Sequence, residues 1–326
     1  MILAGDIGGT KTNLAVFDEH DGELRLLNQK SFKSNAHVGL EAIIQEFIAQ
    51  FHPKVTAAAF GIAGPVLNNR VEATNLPWIV NGSSLATLLG LPNVSLLNDL
   101  EANAYGIPVL KPDEFVVLNE GDKTRVGNAA LIAAGTGLGK ACLFWDGHRY
   151  HPSASEGGHV DLAAHNELEI RLLAYLMRKF DHVSVERIIS GMGFQNIYKF
   201  LKESGYAEEP AWLAEQIAQG DPNVAIVTAA LNHQSELCVK ALDMFVYAYG
   251  AEAGNLALTL QAVGGLYVGG GIAPKIIEKL KDGTFMGAFT YKGRLSPLMA
   301  SFPVKVIMND KTALLGAASY AQLHGS

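Results

Sequence analysis

Short apolar runs alternate with amphipathic segments along the chain. The runs at 2–4 and 14–17 flank a glycine-rich turn, and Asp21-Gly22 predicts a hairpin before the run at 24–27. The apolar residues of 40–51 fall on one face of a predicted helix. Fully apolar strands between amphipathic helices predict an α/β protein whose sheet is covered on both faces.

Further elements follow the same pattern. They are predicted strands at 55–60 and 94–97, a short helix at 83–89, and an alanine- and leucine-rich helix at 312–323. The long apolar stretch 241–265 is interrupted by three polar residues: Asp243, Glu252 and Asn255. These interruptions predict a buried helix of a soluble protein and not a membrane span.

Composition adds an excess of glycine to this pattern. Of the 326 residues, 34 are glycine, whereas average usage of about 7% would give about 23. The length predicts about two domains. The net charge is −7 and no basic run is present, so nucleic acid and an anionic membrane surface are poor candidate partners.

The cysteines and the N-terminal residues indicate the cytoplasm. Cys142 and Cys238 each lie in an apolar segment, as reduced core cysteines do, and no disulfide framework is expected. The first apolar run reaches Asp6 after four apolar residues, which is too short for the core of a signal peptide. We therefore expect a cytoplasmic protein without a membrane partner.

An internal repeat is visible when the sequence is offset by 129 residues. The segment 3–17 then matches 132–146, with Gly8 opposite Gly137 and Lys11 opposite Lys140. Both segments predict a strand, a glycine-rich turn and a second strand. Two apolar hairpins match partly by chance, so coincidence stays an alternative. The shared glycines favour two duplicated domains that face one ligand.

Three glycine turns are suited to bind a nucleotide. Because glycine lacks a Cβ, backbone N–H groups can surround a phosphate. Asp6, just before the first turn, can hold Mg²⁺ directly or through water. The predicted nucleotide-binding residues are Gly5, Asp6, Ile7, Gly8, Gly9, Thr10, Gly135, Thr136, Gly137, Gly270 and Gly271. Any one of these turns alone is more typical of a tight hairpin.

The order of the glycine motifs resembles a known superfamily. GDIGGT at 5–10, AAGTGLG at 133–139 and GGGIAP at 269–274 resemble the actin-like ATPases, which include hexokinase, Hsp70 and actin. With LNDLEANAYG at 97–106 and SEGGHVD at 155–161, the chain is similar to bacterial-type glucokinases nearly from end to end. The resemblance implies a two-domain α/β fold, actin-like and ribonuclease-H-like, with an interdomain cleft.

The resemblance also implies a domain organisation and cofactors. Residues 1–98, with a C-terminal helix at about 312–326, are expected to form a small domain, and 99–311 a large one. The implied cofactors are ATP and Mg²⁺, with Asp6 at the metal, and glucose is the implied sugar. No structural zinc is expected, because no cysteine cluster follows His159. We also expect a homodimer.

A sugar site is implied in the same way. Asp99 is expected to be the general base that takes the proton from the 6-hydroxyl of glucose, in the first step of glycolysis. The implied sugar-binding residues are Asn75, Asn98, Asp99, Glu156, His159 and Glu186. From the residues alone, a cap for the helix that follows is the favoured role of Asn98 and Asp99.

Two other functions are compatible with this fold. A kinase of the same fold can act on fructose, mannose or N-acetylglucosamine. A sugar-sensing regulator would need a DNA-binding segment before the first strand, and that strand is predicted to begin at Ile2. Lys11, where related glucokinases often carry asparagine, and the polar tract 198–223 have no assigned role.

Overall fold

The computed structural model describes residues 1–325, and their contacts group them into two compact units. Unit 1 comprises 1–114, 149–154 and the chain from Asn309 onward. Unit 2 comprises 115–148 and 155–308. The predicted domain limits, 1–98 with 312–326 and 99–311, stay predictions.

Strands and helices occur in both units. Among the described residues the strands are β1 (Ile2–Ile7), β2 (Lys11–His20), β3 (Glu23–Lys33), β4 (Ala57–Ile62), β5 (Val66–Leu67), β6 (Arg70–Glu72), β7 (Ile79–Asn81), β8 (Ser95–Asn98), β9 (Phe115–Asn119), β10 (Ala129–Ala134), β11 (Leu138–Trp145), β12 (Tyr150–Ser155), β13 (Gly265–Gly269) and β14 (Val304–Ile307). The helices are α1 (Leu40–Phe51), α2 (Gly82–Leu89), α3 (Asp99–Gly106), α4 (Glu167–Leu176), α5 (Gly191–Glu203), α6 (Ala211–Gln219), α7 (Pro222–Leu231), α8 (Glu236–Leu260), α9 (Ile277–Lys281), α10 (Thr284–Thr290), α11 (Ser296–Ala300) and α12 (Thr312–His324).

The main sheet of unit 1 is covered on both faces, as its apolar strands predict. Its order is β3-β2-β1-β4-β8, with β1 antiparallel to β2 and parallel to β4. Leu3 and Phe60 lie on the face covered by α1 and α2, whereas Ile2 and Ala59 lie on the face covered by α12. Because successive residues of a strand point to opposite faces, one apolar strand contributes to two cores.

Unit 2 is built around α8, the helix predicted within 241–265. The sheet beside it runs β11-β10-β13-β14-β9. Phe245 and Tyr249 of α8 are buried in the core that this sheet shares with α5 and α7. Within the described part of the chain, no helix combines the length and apolar character that a membrane span requires. The prediction of a buried helix is confirmed.

The two sheets repeat one pairing scheme. β1 is antiparallel to β2 and parallel to β4, and β10 is likewise antiparallel to β11 and parallel to β13. The turns differ, because four residues separate the paired Ile7 and Thr12 and three separate the paired Ala134 and Leu138. The topology therefore repeats, but the offset of 129 does not hold through both strands.

Helix α12 crosses α3 so closely that the backbones of the two helices are in contact. A Cβ on Gly316 would collide with the carbonyl oxygen of Ala102 in α3, and a Cβ on Gly106 would collide with the carbonyl oxygen of Thr312. Only glycine allows this approach, because the neighbouring atoms belong to backbone that cannot turn aside. The crossing fixes α3, whose first residue is Asp99, against the C-terminal helix.

This crossing predicts a large stability effect at Gly316. We expect Gly316→Ala to lower the free energy of unfolding by about 2 kcal/mol or more, because the new methyl group forces α3 and α12 apart. Chemical denaturation measures the change. The matched control is Gly287→Ala in α10, where an added Cβ meets nothing within 4 Å and a neutral or slightly stabilising effect is expected. Equal stability of the two variants would contradict the role of the crossing.

Candidate active site

Three loop segments of unit 1 lie at one edge of its sheet. In the parallel ladders Ile7 pairs with Ile62, and Ile62 pairs with Asn98. The carboxyl ends of β1, β4 and β8 are therefore level. The first glycine turn, the loop after Ile62 and the Asn98-Asp99 pair leave the sheet side by side, which is where open α/β sheets bind ligands.

Two hydrogen bonds fix the backbone of the first glycine turn. The Gly8 amide donates to the carbonyl of Lys11 at 2.9 Å, and the buried Ser34 hydroxyl donates to the carbonyl of Gly8 at 2.7 Å. A Cβ on Gly9 would lie 2.6 Å from the Cβ of Asn75, so Asn75 lies against the turn. Lys11 is exposed at the start of β2. The predicted residue Asn75 and the predicted phosphate turn are thus neighbours.

Asp6 presents one half-buried carboxylate beside this turn. Its Oδ2 accepts a hydrogen bond from Asn13 Nδ2 at 3.3 Å, and Asn13 Oδ1 accepts one from the Ser31 hydroxyl at 2.6 Å. Burial raises the pKa of the Asp6 carboxyl, and the bond from Asn13 opposes that rise. The described residues contain no group of three or more His, Cys, Asp or Glu side chains with metal-site geometry. A single carboxylate fits Mg²⁺ that is shared with nucleotide phosphates.

Asn98 is the N-cap of α3. Its Oδ1 accepts from the Leu100 amide at 2.9 Å, and its Nδ2 donates to the carbonyl of Gly64 at 3.1 Å. Asp99 Oδ1 also accepts from the Leu100 amide, at 2.9 Å. The helix-cap role is therefore confirmed for Asn98. Its second bond ties the loop after β4 to the start of α3, so Asn98 also positions Asp99.

Two further glycine turns lie side by side in unit 2. Gly135 and Gly137 follow β10, and Gly270 follows β13, its parallel neighbour. A Cβ on Gly270, whose φ is +82°, would collide with the carbonyl oxygen of Ala134. Both strand ends rest on the fully buried Tyr249, whose hydroxyl oxygen accepts from the Ala134 amide at 3.2 Å and lies 3.3 Å from the carbonyl oxygen of Gly269.

Glu186 joins a predicted sugar-binding position to the second glycine turn. Its Oε2 accepts from the Leu138 amide at 2.8 Å, and a Cβ on Gly137 would lie 2.5 Å from that oxygen. Close by in the sequence, the Gly191 amide donates to the carbonyl of Gly135 at 2.9 Å. The segment from Glu186 to Gly191 is therefore bonded to the turn at two points.

Glu156 and His159 lie on a short loop that packs on the start of β11. The His159 amide donates to the carbonyl of Glu156 at 3.0 Å, and both side chains are exposed. A Cβ on Gly158 would collide with the carbonyl oxygen of Leu138. Leu138 therefore contacts this loop and also Glu186, which brings the three predicted residues of unit 2 to one region.

A cavity of about 630 Å³ adjoins the glycine turns of unit 2. Its walls include Thr136, Gly271 and the apolar residues Phe194 and Phe245. One side is a face of α7 with helical spacing, formed by Val224, Val227, Thr228 and Leu231. Sequence reasoning missed this wall, although the spacing of these residues is typical of one face of a helix. The 58% exposure of Val224, which leaves room for a ligand, is visible only in the structure.

Comparison with known proteins identifies the family. The glucokinase family model matches residues 3–324. Relatives named glucokinase come from Nostoc sp., at 42% identity with 98% of each chain covered, and from Photorhabdus laumondii, at 35% identity with 98% of this chain and 96% of the relative covered. The chain belongs to the glucokinase family. Membership of the glucokinase family makes it an ATP-dependent kinase of glucose.

Solved structures agree with the glucokinase family. A glucokinase from an Antarctic psychrotroph is 31% identical, with a TM-score of 0.87 and 99% and 98% of the two chains covered. A ROK family glucokinase from Streptomyces griseus, in complex with glucose and AMPPNP, has the same fold at a TM-score of 0.64 and 23% identity, with 99% of each chain covered. The predicted two-domain actin-like ATPase fold is confirmed.

Proposed function

We propose that the chain transfers the γ-phosphoryl group of ATP to the 6-hydroxyl of glucose with Asp99 as the general base. The observation that carries this proposal is the common edge of β1, β4 and β8 in unit 1. The first glycine turn, which is the proposed phosphate site, follows β1, and the carboxylate of Asp99 follows β8, two strands away at the same edge of the sheet. These are the two groups that phosphoryl transfer to a hydroxyl needs.

Asp99 acts on the sugar hydroxyl. As the first residue of α3 it is fixed by the Asn98 cap and by the Gly316 crossing, so its carboxylate has a defined place. It accepts the proton of the 6-hydroxyl as the oxygen bonds to phosphorus, and the bond from phosphorus to the leaving ADP oxygen breaks. Asn75, Asn98, Glu156, His159 and Glu186 are the proposed hydrogen-bond partners of the sugar.

The glycine turns hold the phosphates. Backbone N–H groups at 8–10 and 135–137 bind phosphate oxygens, and Thr10 and Thr136 add hydroxyl donors. Asp6 would hold Mg²⁺ together with those oxygens. The ion, when bound, neutralises the negative charge that develops on the phosphates. Lys11 is exposed at the end of the first turn, and the proposed reaction requires no role for it.

The cavity of unit 2 takes the nucleoside of ATP. It adjoins Gly135 and Gly271, and its apolar walls suit a purine ring. This placement gives the tract 198–223 a partial role, because Asp221 and Asn223 at the start of α7 line the cavity. We propose a cytoplasmic enzyme, in line with its cysteines, and the homodimer stays a prediction.

Asp99→Asn tests the base. We expect kcat to fall by about two to four orders of magnitude, since the amide cannot take a proton, while the dissociation constant for glucose changes by less than roughly tenfold. A coupled assay for glucose 6-phosphate and calorimetric titration of glucose measure the two quantities. Asp113→Asn, an exposed aspartate of unit 1, is the control and should keep wild-type values. Near-normal kcat in the Asp99 variant would remove Asp99 as the base.

Thr228→Trp tests the nucleoside cavity. The indole would occupy space beside Val224 and Leu231, so we expect the KM for ATP to rise about tenfold or more with the KM for glucose unchanged. The steady-state rate as a function of each substrate measures both constants. Thr259→Trp on the exposed face of α8, outside the cavity, is the control. An unchanged KM for ATP in Thr228→Trp would place the nucleoside elsewhere.

A panel of hexoses separates glucose from the alternative substrates. Once a bound sugar covers its hydrogen-bond partners, each partner that a wrong epimer leaves unpaired costs about 1–3 kcal/mol. We therefore expect kcat/KM for glucose to exceed that for fructose, mannose and N-acetylglucosamine by about tenfold or more. The same coupled detection of ADP for every sugar makes the values comparable. A higher kcat/KM for fructose than for glucose would overturn the substrate assignment.

A further inference from the structure

Unit 2 contains a buried ion pair that the proposed reaction does not use. Lys140 of β11 is only 4% exposed, and its Nζ donates to Oε1 of Glu252 in α8. The Glu252 side chain is 12% exposed. Both charges have left water, so a structural or functional reason must outweigh the loss of hydration.

The carboxylate of Glu252 is held in place by a chain of polar contacts. Its Oε2 accepts from Asn255 Nδ2 at 2.9 Å, and Asn255 Oδ1 accepts from Lys292 Nζ at 2.7 Å. Lys292 also donates to the carbonyl of Ala251 at 3.0 Å. Lys140 is therefore paired with a carboxylate that Asn255 holds directly and that Lys292 supports through Asn255.

The side chain and the backbone of Lys140 both contact the loop that contains Glu156 and His159. A Cβ on Gly157 would lie 2.8 Å from Lys140 Cδ, so the loop backbone rests on the lysine stem. The Ser155 hydroxyl donates to the carbonyl of Lys140 at 3.0 Å and accepts from the Gly157 amide at 3.2 Å. The position of Lys140 thus sets the backbone on both sides of Glu156.

Stability alone does not account for such a pair. Well-packed apolar residues of similar volume replace buried ion pairs with little loss, and often with a gain, in the free energy of unfolding. An apolar side chain, however, has no fixed partner to hold an extended stem under Gly157. The distinguishing property of the pair is therefore geometric.

We propose that Lys140 and Glu252 are positioning residues for sugar binding: the pair holds the Lys140 stem under Gly157 and so fixes the loop that carries Glu156 and His159. The inference rests on the proposed role of these two side chains in binding glucose. It concerns the sugar only, because the glycine turns of unit 2 assigned to ATP are held by Tyr249, by the Glu186 carboxylate and by backbone hydrogen bonds.

The test is the double variant Lys140→Met/Glu252→Leu in the full-length chain. It removes both charges of the pair together; Asn255 loses one acceptor, and Lys292 keeps its bonds to Asn255 and to the carbonyl of Ala251. We expect thermal unfolding close to that of the wild type, a KM for glucose raised by roughly ten- to hundredfold through misplacement of the loop, and a KM for ATP within about twofold. An unchanged KM for glucose in the folded double variant would overturn the proposal, and so would an equal rise in both KM values.

Two further variants complete the design. Ser155→Ala removes the hydroxyl that joins the Gly157 amide to the Lys140 carbonyl, and it should raise the KM for glucose in the same direction because it loosens the same loop. Lys281→Met/Glu278→Leu removes an exposed ion pair of α9 and should leave both KM values unchanged. Absence of glucose phosphorylation by the wild type would refute the proposed function, whereas wild-type activity with unaffected variants would refute only the role of the pair.

Discussion

The contact between the backbones of α3 and α12 is the constraint on which the candidate site of unit 1 depends. Two glycines, Gly106 and Gly316, let the helices approach until carbonyl oxygens occupy the space of side chains. Helix α12 in turn covers one face of β1 and β4 through Leu314 and Ala317. Because α12 packs against both α3 and this sheet, Asp99 at the start of α3 has a fixed position relative to β1, the strand that precedes the first glycine turn.

Local sequence patterns predicted the parts of the fold that local physics determines. The apolar spacing of 40–51 matches α1 at both ends, and the glycine turns appear at the ends of β1, β10 and β13. Helix-cap chemistry at Asn98 was visible because the cap and the capped amide lie two residues apart. Such features need no knowledge of the rest of the chain.

The remaining features depend on partners far apart in the sequence. Lys140 and Glu252 are separated by 112 residues, so nothing in the sequence near either one shows that the other neutralises it. The internal repeat even suggested that Lys140 corresponds to Lys11, yet one is buried in an ion pair and the other is exposed. The α7 wall of the cavity was hidden in the same way, because its other walls come from 135–136, α5, α8 and 271–276.

The discontinuous make-up of unit 1 has a consequence for its biosynthesis. The core on one face of its sheet combines Ile2 and Phe17 with Leu314 and Ala321, which are the first and last parts of the described chain. These partners are about 300 residues apart in the sequence, so the ribosome synthesises them at widely separated times. Unit 2 consists of residues 115–148 and 155–308, so all of its strands are synthesised before α12. On this face the apolar residues of β1 and β4 therefore stay uncovered until α12 is synthesised, which exposes them in the nascent chain to aggregation and to chaperones.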